Sequence, residues 1–215
     1  MPHPTESPTG DQDPAAFWEA RYAKEDQIWS GRPNHALVTT IGTLEPGRAL
    51  DLGCGEGGDS VWLADQGWEV VAVDIAETAI ARARGQAAAH RIPDGRITWR
   101  VQDLACWEPT ETYDLVSACF LHSPVDFPRN AVLRRAAAAV AVGGHLLLVG
   151  HAEPPPWSHD HDHHRFLGPA EEIADLRLDA DAWETVVSDV RSRQASGPRG
   201  QRGTLLDAVV LLRRR

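Results

Sequence analysis

The residues best placed to do chemistry in this 215-residue chain are three aspartates, a run of glycines and two histidines. The segment Asp51-Leu52-Gly53-Cys54-Gly55-Glu56-Gly57-Gly58-Asp59 puts four glycines within six residues behind an acid. Glycine turns readily with φ > 0 and leaves backbone N–H groups uncovered. A helix-forming run follows, and a helix N-terminus adds positive partial charge beside such a turn. Asp74 and Asp103 each close a later apolar run. Strand, glycine turn and helix together predict a site for a nucleotide-type ligand. His122 and His151 follow two further apolar runs, and imidazole exchanges a proton near neutral pH.

These groups meet only if the strands carrying them lie side by side. Apolar runs predict strands over 49–53, 68–74, 97–102, 113–121 and 145–150, with helices over 59–66, 76–90 and 128–142, the last stopping at Gly143-Gly144. Near-continuous apolar strands alternating with helices predict a parallel sheet covered on both faces, with ligands at its carboxyl edge. The C-terminal part departs from that alternation. A short helix over 169–176 precedes strand-like runs at 183–190 and 204–212. The intervening 191–203, rich in Arg, Ser, Gly and Pro, has no room for a crossover helix, so the pair is expected to be an antiparallel hairpin. The expected fold class is α/β: a Rossmann-like, doubly wound, seven-stranded sheet, mostly parallel with a C-terminal antiparallel hairpin. Arg213, Arg214 and Arg215 read as a solvated tail.

Residues 1–14 read as a disordered leader, 15–46 as an N-terminal helical lid segment and 47–215 as the ligand-binding core. In the lid segment Phe17, Trp18, Arg21 and Tyr22 form one face of a helix over 15–24, and another short helix is expected over 35–41. Between them Trp29 and Arg32 lie in a turn-rich stretch suited to covering the ligand. The segment 151–168 holds five of the ten histidines with interleaved aspartates. It lacks tight zinc spacing, so no metal is assigned to it. A polar, Pro-stiffened loop beside the substrate mouth is expected instead, with Trp157 and Phe166 as possible walls.

Two cofactor classes fit the glycines. Gly53-x-Gly55-x-x-Gly58, with Asp74 about 20 residues on, satisfies the dinucleotide fingerprint. A nicotinamide-dependent reductase would also need a proton donor of the Tyr-x-x-x-Lys type; Lys24 is the single lysine, and neither Tyr22 nor Tyr113 has a lysine at that offset. The same letters read Asp51-x-Gly53-x-Gly55-x-Gly57, and in that form residues 48–150 resemble the class I S-adenosylmethionine (SAM)-dependent methyltransferases. The C-terminal hairpin supports that resemblance. A looser similarity is to the tellurite-resistance and thiopurine-type small-molecule enzymes.

The resemblance implies SAM as cofactor. Asp51, Gly53 and Gly55 would hold its methionine end and Asp74 its ribose hydroxyls, with Ile75 against the adenine. Asp103 and Leu104 would lie at the adenine amino group, and Cys119 under the sulfonium. Cys119 also reads as inert packing, as buried cysteines usually are. Methyl transfer to a small acceptor is then expected, a thiol or other soft nucleophile being favoured because no strong base is evident; O- and N-acceptors stay open. His122 is the candidate base, and Trp29, Arg32, His151 and Trp157 are candidate substrate or lid residues. A non-catalytic SAM- or metal-binding module is the third possibility.

Bulk properties narrow the partners. A formal net charge of -10 repels nucleic acid. Three cysteines without paired spacing suggest a reducing compartment. No apolar run approaches the roughly 20 residues of a membrane span. No signal-peptide core is visible, so a soluble, cytoplasmic protein with no membrane partner is expected.

Overall fold

The computed structural model describes residues 13–157, 166–197 and 200–215. Seven strands form one sheet: β1 (Arg48–Leu52), β2 (Glu69–Asp74), β3 (Ile97–Val101), β4 (Tyr113–Cys119), β5 (Val140–His151), β6 (Trp183–Ser196) and β7 (Arg202–Arg214). Among the described residues six helices accompany them: α1 (Pro14–Ala23), α2 (His35–Ile41), α3 (Gly58–Asp65), α4 (Glu77–Ala89), α5 (Arg129–Ala138) and α6 (Pro169–Leu176). The strand order is β3-β2-β1-β4-β5-β7-β6. The first five strands run parallel, and β7 lies antiparallel to both β5 and β6. The fold is the expected doubly wound sheet closed by a C-terminal hairpin.

Alternate residues of the central strands feed two separate cores. Leu50, Leu52, Val116, Leu146 and Leu148 pack with Val132 and Leu133 of α5 and Leu176 of α6. Ala49, Leu115, Leu147 and Val149 pack with Leu37 and Ile41 of α2 and Leu63 of α3. Burial on both faces explains why these strands read as unbroken apolar runs. The chain winds outward in opposite senses from β1 and β4, which leaves a crevice at their carboxyl ends. Because Leu37 and Ile41 are wholly buried, α2 belongs to the core, and only the part of 15–46 before it lies free to cover the site.

Three sequence expectations are corrected. The helix expected over 128–142 ends at Ala138, and Val140 already pairs with Tyr113 as the start of β5. Gly143 (φ +84°) and Gly144 therefore lie inside that strand, next to the register shift between Tyr113 and Leu115, where a Cβ on Gly144 would come within 2.9 Å of the Asp114 carbonyl oxygen. Residues 191–203 are largely strand, since β6 runs to Ser196 and β7 resumes at Arg202. Its inward positions are arginines rather than apolar residues: Arg191 donates to Thr39 and Thr40 of α2, and Arg193 to Asp207 of β7. Arg213 and Arg214 are ladder residues, not a tail; Arg214 also donates to the Val140 carbonyl at 2.6 Å.

Candidate active site

The turn after β1 is built from glycines that do different work. Gly53 (φ +70°) and Gly55 (φ +53°) take left-handed backbone that L-residues avoid. A Cβ on Gly53 would stand 2.6 Å from Leu121 Cδ1, and one on Gly55 would meet the Tyr22 hydroxyl at 3.2 Å and the Trp29 ring at 3.3 Å. Gly57 lets α3 approach Ala83 of α4, and Gly58 lies under the Arg32 carbonyl. Gly53, Gly55 and Gly58 line the cleft, whereas Gly57 serves the packing of α3 on α4.

Three carboxylates surround this turn, and burial raises the pKa of each. Asp51 is 2% exposed, Asp59 and Asp74 7% each. Burial, with Asp59 close by, pushes Asp51 up to about 7, against hydrogen bonds from the Ser60 and Ser117 hydroxyls at 2.6 and 3.1 Å. Asp59 and Asp74 are raised by burial too. Asp74 accepts from the Gly55 and Ala76 N–H groups at 2.9 and 3.0 Å, which leaves each carboxylate oxygen capacity for a further donor. Among the described residues no lysine or arginine pairs with these three acids. A cation entering the site would relieve a standing repulsion, whereas a pyrophosphate would add to it.

Over the turn lies the N-terminal segment. Trp29 donates from its indole to the Tyr22 hydroxyl at 3.1 Å. Two acids hold this cover in place, and sequence reasoning assigned a role to neither. Glu56, 4% exposed, accepts from the Ile28 and Trp29 N–H groups and pairs with Arg82 at 2.8 Å. Asp59 accepts from both the backbone and side-chain amides of Asn34, at 2.6 and 2.7 Å. Both acids stand in the glycine motif, where only the glycines drew notice.

Together these elements enclose a cleft of about 520 Å³. The structure brings to it Asp51, Gly53, Gly55, Asp74, Ile75, Asp103, Leu104, Cys119, His122, His151, Trp29 and Arg32, and also Trp18, Tyr22, Phe166 and Arg193. Asp103 is half-buried, its carboxylate accepting from the Ala105 N–H at 2.8 Å. Cys119 sits beside Asp59, and burial pushes the thiols of Cys119 and Cys54 well up, so neither is poised as a nucleophile. The His122 ring stands against Gly150, where an added Cβ would come within 3.2 Å of its Nε2. Trp157 is a correction: its indole packs against Gly197 and Gly203 of the β6–β7 hairpin and does not line the cleft. Histidines 159, 161, 163 and 164 lie outside the described residues, and among the described residues no cluster of three or more His, Cys, Asp or Glu could hold a metal. No described helix is long and apolar enough to cross a membrane.

SAM fits this cleft by the chemistry of its walls: unneutralised buried acids for a cationic sulfonium and ammonium, and a strand-end carboxylate with free acceptor capacity for a diol. Comparison with known proteins agrees. Residues 49–144 match the family model described as a methyltransferase domain. Probable thiol methyltransferase 2 of Arabidopsis thaliana is 32% identical over 103 residues, 46% of this chain and 45% of that protein. Thiocyanate methyltransferase 1 of the same plant is 34% identical over 102 residues, 46% of this chain and 44% of that protein. Each match thus spans less than half the length of the curated relative. The N-methyltransferase NodS from Bradyrhizobium japonicum WM9, solved with S-adenosylhomocysteine, shares the fold with a TM-score of 0.62 at 20% identity, over 93% of this chain and 98% of that one. Family match, strand order and an acid-lined glycine turn converge: residues 49–144 resemble a methyltransferase domain, on a fold shared with an N-methyltransferase solved with S-adenosylhomocysteine.

Proposed function

We propose that the protein transfers the methyl group of SAM to a small acceptor, with a thiol or similar soft nucleophile favoured. The observation that carries the cofactor half of this reading is the set of three buried carboxylates without a cationic partner among the described residues. Asp51, Gly53 and Gly55 would hold the methionine end, Asp74 the ribose hydroxyls, and Ile75, Asp103 and Leu104 the adenine. Cys119 would form the floor beneath the sulfonium as a packing residue. At an effective dielectric of about 20, a charge pair about 5 Å apart contributes roughly 3 kcal/mol, so loss of one acid should matter to binding.

The acceptor half rests on the walls beyond Cys119. Phe120, Leu121, Phe127 and Phe166 give an apolar mouth, beside which His122 and His151 stand. Such a mouth suits a small, polarisable acceptor better than a charged polymer, and the net charge of -10 also disfavours nucleic acid. Both Arabidopsis relatives carry sulfur acceptors in their names.

SAM when bound supplies a methyl on a sulfonium, a good leaving group for in-line displacement. The chain's part is mainly positioning, worth up to about 7–11 kcal/mol of barrier. Tyr22 and Trp29 would cover the glycine turn, and His122 would orient the acceptor at the carboxyl edge. Incubation with labelled SAM and separate panels of thiols, phenols and amines tests the reading. Methylated thiols are expected in excess; SAM binding with transfer to none of the three panels would overturn it.

A further inference from the structure

The acceptor end of the cleft holds a group of charges that the cofactor does not need. Asp207 is a carboxylate in the middle of the apolar strand β7 and is 2% exposed. Cross-strand register sets it opposite His151 of β5 on one side and Arg191 of β6 on the other. Its Oδ1 meets His151 Nδ1 at 3.2 Å, and its Oδ2 accepts from Arg193 Nε. Burial pushes this carboxyl up, but the bonds from His151 and Arg193 outweigh that and hold it below its ordinary value. An ionised carboxylate can only accept, so the ring nitrogen facing it carries a proton, and in the neutral imidazole the lone pair is then on Nε2. Among the described residues Arg193 Nη1 has no hydrogen-bond partner.

Both side chains that Asp207 holds line the cleft, whereas Asp207 itself lies behind them. They converge on one ring. The His151 and Phe120 ring centroids are 4.7 Å apart, and the Arg193 guanidinium carbon stands 5.6 Å from the Phe120 centroid. Phe120, the first residue past β4, has φ +53°, a conformation costly for a bulky L-residue. Its N–H nonetheless donates to the Val149 carbonyl at 2.7 Å, which ties this backbone to β5. Strain of that kind at a cleft points to function.

We infer that His151, Asp207 and Arg193 form an activating station for a protonated thiol acceptor, with His151 as the base, Asp207 as its positioning residue and Arg193 as the cation that receives the thiolate. The inference rests on the methyl-transfer reading above. The acceptor R–SH gives its proton to His151 Nε2, and the thiolate charge faces Arg193. A thiolate lone pair then forms the new S–CH₃ bond as the methyl–sulfonium bond breaks, its electron pair staying on the departing sulfur. The products are a methyl thioether, S-adenosylhomocysteine and an imidazolium that returns its proton to water. A base behind a buried carboxylate is worth roughly 10²- to 10⁴-fold in rate.

The test compares wild type, His151→Gln and Asp207→Asn on a graded series of thiols, from alkyl thiols protonated at neutral pH to electron-poor aryl thiols already ionised. SAM affinity is measured for each variant by calorimetry. We expect His151→Gln to lose roughly 10²-fold in kcat/KM on the protonated thiols, the deficit shrinking to a fewfold on the ionised ones. Asp207→Asn should follow the same trend less steeply, and SAM affinity should stay within about twofold where the variant folds. A deficit uniform across the series, or none, overturns the station while leaving methyl transfer standing. A wild type that methylates no thiol overturns both.

Discussion

Replacing Asp51 by Asn should move stability and cofactor affinity in opposite directions. The carboxyl is 2% exposed and raised from 3.8 to about 7, burial being the main cause. A carboxyl whose folded pKa is raised stabilises the fold fully below its unfolded value, and that contribution is lost progressively as pH rises from there through the folded value. At about 1.36 kcal/mol per pH unit, the interval from pH 5.5 to about 7 corresponds to roughly 2 kcal/mol lost by the wild type without cofactor. Asparagine keeps the shape, and the Ser60 and Ser117 hydroxyls can turn to donate or accept, so the variant should not lose that increment. Urea unfolding at pH 5.5 and 8.5 should show the stability of the variant relative to the wild type rise by roughly 2 kcal/mol between the lower and the higher pH. Calorimetry at pH 8.5 should show the variant binding SAM roughly tenfold to a hundredfold more weakly, since one acid facing the cation is gone. A variant equally destabilised at both pH values, with SAM affinity unchanged, would refute the view that this acid is kept at a cost in stability for the sake of a cation.

Three further outcomes follow from the site. Glu56→Gln removes the charge that pairs with Arg82 and weakens the hold on the Ile28 and Trp29 amides, so hydrogen exchange at those two amides should speed at least tenfold, about 1.4 kcal/mol, while exchange in β1 changes little. Gly55→Ala adds a Cβ at φ +53° within 3.2 Å of the Tyr22 hydroxyl; SAM affinity should fall at least tenfold, and Trp29 fluorescence should report a displaced lid. Asp74→Ala leaves the Gly55 and Ala76 N–H groups without their acceptor, so SAM and S-adenosylhomocysteine should weaken together, whereas loss of Asp51 should affect the cationic SAM more; titration with both ligands separates the two roles.

The parallel core was legible because strands buried on both faces must be apolar throughout, and the glycine turn because left-handed backbone demands glycine. The C-terminal hairpin was legible in kind but not in length. Its inward residues Arg191 and Arg193 satisfy polar partners, so the apolar alternation that marks a strand is missing there. Glu56 and Asp59 escaped notice because their partners, Ile28, Trp29 and Asn34, lie 25 or more residues away in sequence and no periodicity links them. Asp207 left one usable signal, a lone acid inside the apolar run Thr204–Leu212, which implies a buried carboxylate needing partners. Trp157 was expected at the cleft from its neighbourhood alone, and Gly197 and Gly203 offered its ring a closer seat.

The buried acids of the cleft should select a cationic sulfur nucleoside over a dinucleotide that fits the same glycine spacing. Calorimetric titration of the protein at pH 8.5 with SAM and with NADH measures that choice directly. Saturable one-to-one binding of SAM is expected, with no heat from NADH at the same concentrations. Saturable NADH binding with SAM silent would contradict it.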